Sequence, residues 1–586
     1  MHAARRSGAT NHMTMVRLVL CLLAALAIAS SAPAQSTLDL AGSGSAQARA
    51  VHAQHGMVAA QEATAARIGA DILERGGNAV DAAVAVGFAL AVTLPKAGNL
   101  GGGGFMVLHL AGRNEEVAID YREAAPAATT SDVFLNERGE ADPERSRNSG
   151  LAVGVPGTVA GLALAHARYG SGRFTLAELI APAIALARAG IPVADDLLDS
   201  LALAGPRLAR WPSSKIFLKA NGEPLGAGDT LVQRDLAHSL EAIARAGERA
   251  FYTGAIADRI VAAVRSAGGR MTLADLNSYR PIVRAPVRGL YRGHEIVSMP
   301  PPSSGGVHLV EMLNILEGFP LDRLGAGSPA ALHLMIEAMK LAYADRAEFL
   351  GDSDVVDVPI ARLTSKSHAA ALRARIGERA QAVPAGGPDS QPRGGGNTTH
   401  YSVVDRFGNA VANTYSLNFN YGLGLLAEGT GILLNNQLDD FAAKPGVPNA
   451  FGLVSGGANA PGPGKRPLSS MTPTIVLKDG RPLLVTGAPG GSRIITSVLQ
   501  VVLNVIEFKK PIAEAVAAPR LHHQWRPDEV VVEPGLPADS VGALQARGHT
   551  IRRGPLFGSA HSIAVAPGGL VGAADERARG AKAHGY

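Results

Sequence analysis

The junction between Gln381 and Thr398 constrains this chain more than any other feature. From Gln381 to Asn397 it reads Gln-Ala-Val-Pro-Ala-Gly-Gly-Pro-Asp-Ser-Gln-Pro-Arg-Gly-Gly-Gly-Asn, a stretch with no apolar period that predicts an exposed loop. Thr398 then opens a β-branched and aromatic run, Thr-Thr-His-Tyr-Ser-Val-Val, that ends at Val404. If the bond between Asn397 and Thr398 is cut, Thr398 gains a free α-amine beside its own hydroxyl. Such an amine titrates near ~7.7–8.0 and accepts the hydroxyl proton at neutral pH. Nucleophile and base then reside in one residue, with no His or Asp required. The cut can be self-made: the Thr398 hydroxyl attacks the Asn397 carbonyl, and water hydrolyses the ester. The preceding glycines permit the strained backbone this needs. Read locally, Thr-Thr also fits an ordinary strand start.

A hairpin is predicted next. Asp405-Arg406-Phe407-Gly408-Asn409 is turn chemistry, and Ala410 to Leu417 reads as the return strand. Pairing across that turn sets Val404 against Ala410 and Thr398 against Ser416, which places a second hydroxyl opposite the first.

The chain has 586 residues, 47% apolar and 18% charged, enough to bury a substantial core. Residues 1–34 read as an export signal: Arg17 precedes the apolar run Leu18 to Ala29, and Ala32-Pro33-Ala34 is an A-x-A cleavage pattern. The start codon is open among Met1, Met13 and Met15. Removing residues 1–34 leaves 52 basic against 50 acidic residues, which gives no electrostatic footprint for nucleic acid or an anionic membrane. The lone cysteine, Cys21, lies inside the signal. The exported chain is therefore expected to lack disulfides, thiolate ligands and a Cys nucleophile. The periplasm is the expected destination, with secretion into the medium as the alternative.

Gln35 to about His55 is predicted to be a loose leader. Glu62 to Glu74 has helical spacing and ends at Gly76-Gly77; Asn78 then caps a second helix, Ala79 to Thr93, stopped by Pro95. Gly98-Asn99-Leu100-Gly101-Gly102-Gly103-Gly104 leads into a strand from Phe105 to Leu108. Helices dominate from about Gly157 to Ala267 and return from Pro329 to Phe349. Further strands are predicted at Gly431–Leu434, Thr474–Leu477 and Leu483–Thr486, and short strands alternate with turns toward the C-terminus. The fold class is mixed α/β, with helices early and strands late.

Several long motifs, in order, resemble the bacterial γ-glutamyltranspeptidases. They are Thr398 to Asp405, Gly431-Ile-Leu-Leu-Asn-Asn-Gln-Leu-Asp-Asp-Phe441, Lys465-Arg-Pro-Leu-Ser-Ser-Met-Thr-Pro-Thr474 and Gly487-Ala-Pro-Gly-Gly-Ser-Arg493. Gly98 to Phe105, Asp120-Tyr121-Arg122-Glu123 and Pro300 to Gly306 match the same family upstream. The resemblance implies an N-terminal-nucleophile hydrolase sandwich, helices outside two stacked sheets, built from a large chain, 35–397, and a small chain, 398–586. It implies Thr398 as nucleophile for processing and turnover, Ser416 in support where bacterial members commonly have threonine, and Gly490 and Gly491 as oxyanion donors. It further implies that Arg122, Ser469 and Ser470 hold the substrate α-carboxylate, and that Asn418, Gln437 and Asp440 hold the α-amino group. Such a set suits a γ-glutamyl unit, because Arg grips a carboxylate and Asp neutralises an ammonium, fixing the carbonyl between them. The implied donor is glutathione or a related amide, the acceptor is water, an amino acid or a peptide, and no cofactor is required.

The chain departs from the family at Phe451, where well-known bacterial members carry tyrosine in a loop over the site. The missing hydroxyl predicts a looser lid and more hydrolysis relative to transfer. Alternatives are an acylase acting on glutaryl-type β-lactam side chains, and a secreted binding protein of the same fold without turnover. Nucleotide binding is disfavoured, because the glycine run at 101–104 lacks a following Gly-Lys-Ser/Thr and Gly462-Pro463-Gly464-Lys465 lacks P-loop spacing and Ser/Thr. His522-His523 are adjacent and point apart, which disfavours a metal site. Asn397-Thr398-Thr399 fits a glycosylation sequon only formally.

Overall fold

The hairpin that follows the junction lies at the centre of the molecule. A computed structural model describes residues 46–383 and 396–586; the export signal and most of the loop before Thr398 fall outside the described residues. Strands Gly396–Val404 and Ala410–Phe419 pair antiparallel, with Val404 against Ala410 and Thr398 against Ser416, as the turn length predicts. Asp405 fixes this turn. Its Oδ1 accepts from the N–H groups of Phe407 and Asn409, and its Oδ2 accepts from the N–H of Ala79, the first residue of helix Ala79–Thr93. One carboxylate thus closes the hairpin and satisfies a helix N-terminus, where negative charge is favoured.

The hairpin is embedded in a seven-stranded sheet, ordered edge to edge Lys582–Gly585, Met57–Ala60, Gly396–Val404, Ala410–Phe419, Gly103–Leu110, Glu115–Tyr121 and Ile282–Arg284. A second seven-stranded sheet runs Ala48–Ala53, Gly569–Asp575, His561–Ala566, Arg481–Thr486, Thr474–Lys478, His294–Ser298 and Val287–Tyr291. Alternation along the strands builds the layers. Val58, Met106, Leu108, Val403 and Val411 enter a core shared with helices Ala63–Glu74, Ala79–Thr93 and Thr158–Tyr169. Their neighbours Ala59, Phe105, Val107, Val404 and Ala412 enter another, shared with Ile475, Val485 and Ile563 of the second sheet. Helices Gly305–Leu316, Pro329–Phe349 and Ile494–Ile506 contribute to that second core. Period-two strands covered on both faces give the helix–sheet–sheet–helix sandwich that the resemblance implies.

Helix Ala79–Thr93 is buried along its whole length, capped by Asn78 as predicted, and Tyr401 and Tyr415 each donate a hydroxyl to its carbonyls at 2.9 Å. It ties the hairpin to the outer layer.

Three predicted elements change. Residues 48–53, read as part of a loose leader, form an edge strand against 570–575; three of its six residues are exposed, so ladder hydrogen bonds hold it and composition does not betray it. The strand predicted from Phe105 begins at Gly103. A Cβ on Gly104 would lie 2.4 Å from the Thr414 carbonyl oxygen, so glycine here permits close strand approach rather than a turn. The strand expected at 431–434 shrinks to Ile432–Leu433, paired with Leu426–Ala427.

Candidate active site

The register breaks where the sequence predicts the cut. Asn397 pairs with Asn418 but Thr398 with Ser416, so Leu417 is the extra residue of a bulge opposite the 397–398 bond. Asn418 has a φ of 82°, in the left-handed region that asparagine tolerates better than most residues. Beside this bulge, Ser416 Oγ donates to the Asn397 carbonyl at 2.6 Å and accepts from the Asn418 N–H at 2.8 Å. Thr398 Oγ1 stands 3.4 Å from the same oxygen. One hydroxyl therefore touches both partners of the predicted self-attack, polarising the carbonyl and orienting the nucleophile. Asn397 and Thr398 are only 6% and 5% exposed, which also removes the Asn397 sequon from enzymes that glycosylate surfaces.

Thr398 lines a small cavity together with Arg122, Gln437, Asp440, Ser470 and Gly491. Arg122 follows strand Glu115–Tyr121, and Asp440 ends the helical turn Gln437–Asp440. The Arg122 guanidinium is fully buried: Nε donates to the Pro467 carbonyl at 3.1 Å, and Nη2 donates to Asp440 Oδ2. Gln437 Nε2 reaches the same Asp440 oxygen at 2.8 Å. Among the described residues, Arg122 Nη1 and Gln437 Oε1 have no hydrogen-bond partner. Buried polar atoms are rarely left unpaired, so a donor and an acceptor unspent in one cavity point to a ligand that carries the complementary groups. Glu123 stands 3.7 Å from Arg122 Nη1; burial pushes its carboxyl up to about 7 against the pull of that guanidinium.

Ser469 and Ser470 are held by residues from the Pro300–Gly306 motif and helix Pro329–Phe349. The Ser469 carbonyl accepts from Ser304 N–H and Oγ at 2.8 Å each, and Ser303 Oγ donates to the Met471 carbonyl at 2.6 Å. The Pro300–Gly306 motif is thus a clamp on this loop. Ser470 Oγ accepts from Arg346 Nη2 at 3.4 Å, and Arg346 Nε donates to Ser304 Oγ at 3.1 Å. Arg346 is a second buried guanidinium in the cavity wall, and burial lowers its pKa to about 10. One turn earlier on helix Pro329–Phe349, the Tyr343 hydroxyl donates to the Ser492 carbonyl beside Gly491. Neither Arg346 nor Tyr343 stands out in the sequence. Their only signal is a tyrosine and an arginine at i, i+3 on the helix predicted from Pro329 to Phe349.

Gly490 and Gly491 have φ values of 129° and 59° and open the turn into helix Ile494–Ile506, where amides face the positive end of the helix dipole. A Cβ on Gly491 would lie 2.9 Å from the Phe451 ring, and one on Gly487 would lie 2.3 Å from the His400 ring. Phe451 is 6% exposed and packs edge-on to Phe419 at 5.9 Å. Asn418 directs its amide to the Asn436 carbonyl at 2.9 Å, and the Phe451 side chain covers the cavity by packing while its backbone carbonyl accepts from Gln524 Nε2 at 3.0 Å.

The predicted substrate and nucleophile residues Arg122, Thr398, Asn418, Gln437, Asp440, Ser469, Ser470 and Gly491 line one cavity, and Phe451 borders it. Ser416 contacts Thr398 from behind, and Gly490 lines a neighbouring cavity with Asn397. His522 bonds Thr496 and Gln524 while His523 bonds Asp528, so the adjacent pair serves separate partners. Two other groups, His333–Glu337–His549 and Glu311–Asp345–His368, bring three potential metal ligands within 4.8 Å of one another; neither lines the Thr398 cavity.

The γ-glutamyltranspeptidase family model matches residues 65–585. The chain is 52% identical over 536 residues to the glutathione hydrolase proenzyme of Escherichia coli (strain K12), covering 90% of this chain and 91% of that protein. It is 47% identical over 497 residues to the glutathione hydrolase proenzyme of Pseudomonas sp. (strain A14), covering 82% and 84%. A solved cephalosporin acylase from Bacillus halodurans superposes with a TM-score of 0.81 at 28% identity, covering 92% of this chain and 97% of that one. Together with the bulge at Thr398 and the cavity it lines, these similarities establish that the chain belongs to the γ-glutamyltranspeptidase family.

Proposed function

We propose that the chain is exported as a precursor, cuts itself between Asn397 and Thr398, and then transfers the γ-glutamyl group of glutathione or related amides to water, an amino acid or a peptide. Processing yields a large chain, 35–397, and a small chain, 398–586, which remain together. Among the described residues no helix is long and apolar enough to cross a membrane, and the periplasm is the proposed compartment.

One observation carries this reading: Arg122 and Asp440, of opposite charge, border the same small cavity as the Thr398 hydroxyl. The substrate α-carboxylate takes Arg122 with Ser469 and Ser470; the α-ammonium takes Asp440, Gln437 and Asn418. The Thr398 hydroxyl adds to the γ-carbonyl as its proton passes to the Thr398 amine, and the Gly490 and Gly491 amides stabilise the oxyanion. Collapse breaks the amide bond, the amine returns its proton to the departing nitrogen, and a γ-glutamyl ester of Thr398 remains. Water or an acceptor amine then attacks that ester, and Thr398 is regenerated.

The similarity to a cephalosporin acylase supports a second reading, hydrolysis of glutaryl amides. A glutaryl group has no ammonium, so Asp440 and Gln437 would lack their counterpart; this favours the γ-glutamyl donor. Side-by-side assays of γ-glutamyl and glutaryl anilides on purified, two-chain protein decide between them. A glutaryl preference would overturn the proposal.

A further inference from the structure

Beside the Thr398 cavity lies a larger one, of about 510 Å³. The two share Phe451 and Ser492 as walls, and the Gly490–Gly491 turn stands between them, with Gly490 facing the larger and Gly491 the smaller. An amide whose acyl part fills the small cavity and whose carbonyl meets this turn has its amine part in the larger one. Its volume falls within the range of small-molecule sites, about 300–1,000 Å³.

The charges lining this larger cavity are not balanced. Lys96 is bonded to Asp196, Arg577 to Glu533 and Asp575, and Arg552 Nε to Glu529 at 2.6 Å. Arg493 differs. Among the described residues its guanidinium has no ion pair and no hydrogen bond; it lies over the Phe557 ring at 5.1 Å, also part of the lining. Burial, then the like charge of Arg552, disfavours its protonated form, while Glu533 and Glu529 exert only a weaker opposing pull. A half-buried guanidinium without a partner, lining a cavity of this size with a second arginine, is suited to an anion. Arg493 also closes the Gly487–Arg493 motif, and none of the roles above uses it.

We infer that Arg493, with Arg552, binds the free C-terminal carboxylate of a short peptide, either the dipeptide that leaves the γ-glutamyl donor or a peptide that arrives as acceptor. The inference rests on the γ-glutamyl reading and adds a specificity to it. Phe557, Leu556 and Pro555 supply an apolar wall for the peptide side chain. Two residues of extended chain span at most about 7 Å, so the peptide amine sits at the carbonyl while its terminus lies across the cavity. A site built to bond a charged group discriminates strongly against an analogue without it.

The test compares kcat/KM for glutathione, for its C-terminal carboxamide and for γ-glutamyl-4-nitroanilide, whose leaving group has no carboxylate. The parent enzyme should prefer the free acid to the carboxamide by about tenfold or more. Arg493→Gln should bring the two within about twofold of each other, and Arg552→Gln should narrow the gap. The acid-to-carboxamide ratio is independent of how much active protein each variant yields. If Arg493→Gln does not mature, the parent ratio and Arg552→Gln decide. Turnover of the anilide with equal rates for acid and carboxamide overturns the carboxylate site and leaves the γ-glutamyl reading intact, as does a parent preference that neither variant alters. No anilide turnover by matured parent protein overturns the reading itself.

Discussion

Arg122 and Asp440, suited to opposite ends of an amino acid, are bonded to each other in the cavity that Thr398 lines. A zwitterion replaces this bond without a net change in buried charge, because its carboxylate takes Arg122 and its ammonium takes Asp440. A ligand with a carboxylate alone would take Arg122 from the half-buried Asp440 and leave that carboxylate only its Gln437 hydrogen bond, without a cation. Asp440→Asn should therefore lower kcat/KM for a γ-glutamyl anilide by about 100-fold or more while changing glutaryl anilide hydrolysis far less. Equal losses on both substrates would contradict the assignment.

Maturation should depend on two hydroxyls. Thr398→Ala is expected to give a single uncut chain on a denaturing gel, and Thr398→Ser two chains. Ser416→Ala removes the donor at 2.6 Å from the Asn397 carbonyl and should slow cutting by about 100-fold, the usual scale for one oxyanion donor. Timed gels after synthesis measure this; unchanged maturation in Ser416→Ala would remove Ser416 from the mechanism.

Phe451 closes the cavity by packing and brings no hydroxyl to Asn418. Phe451→Tyr should tighten the lid, so that transfer to a dipeptide acceptor gains on hydrolysis. Product analysis at fixed acceptor concentration gives the ratio, and an unaltered ratio argues against the lid's role.

Two pH effects are expected near neutrality. The Thr398 amine, ordinarily at ~7.7–8.0, must lose its proton to act as base, so activity should rise through pH 7–8 and fall where the substrate ammonium deprotonates. A flat profile between pH 6 and 9 would rule this out. Glu123, pushed up to about 7 by burial, binds its proton more tightly when folded than when unfolded. Its contribution to stability is fully present below about 4.5 and is lost as pH rises through 7. Glu123→Gln should flatten the fall in Tm between pH 5 and 8 and leave Tm near pH 4 little changed. An unchanged slope would mean that Glu123 titrates normally.

Local pattern made part of this site legible. The Thr398–Ser416 pairing follows from strand period and a five-residue turn, both properties of adjacent sequence. The bulge at Leu417 is not legible, because strand period and turn length set the register and give no sign of an extra residue; it lies beside the Asn418–Asn436 contact across the site. Arg122 beside Asp120 and Glu123 resembles a solvated charge cluster, yet it is fully buried because Arg284 and Arg466 neutralise Asp120. Only motif order across the chain, not composition, brings Arg122 toward Asp440. Arg346 and Tyr343 stay hidden for a related reason: a helix read for its apolar spacing gives no sign that these two polar residues bond Ser470 and Ser492, 124 and 149 positions away in sequence.

The strand order of the central sheet has a further consequence. Gly396–Val404 and Ala410–Phe419 are flanked by Met57–Ala60 on one side and Gly103–Leu110 on the other, and Lys582–Gly585 lies beyond Met57–Ala60. After a cut at 397–398 the two fragments would be interleaved like fingers of clasped hands, each supplying strands between strands of the other. Neither could dissociate without unravelling both, so dilution would not part them, and fragments made separately would have to fold around one another to become active.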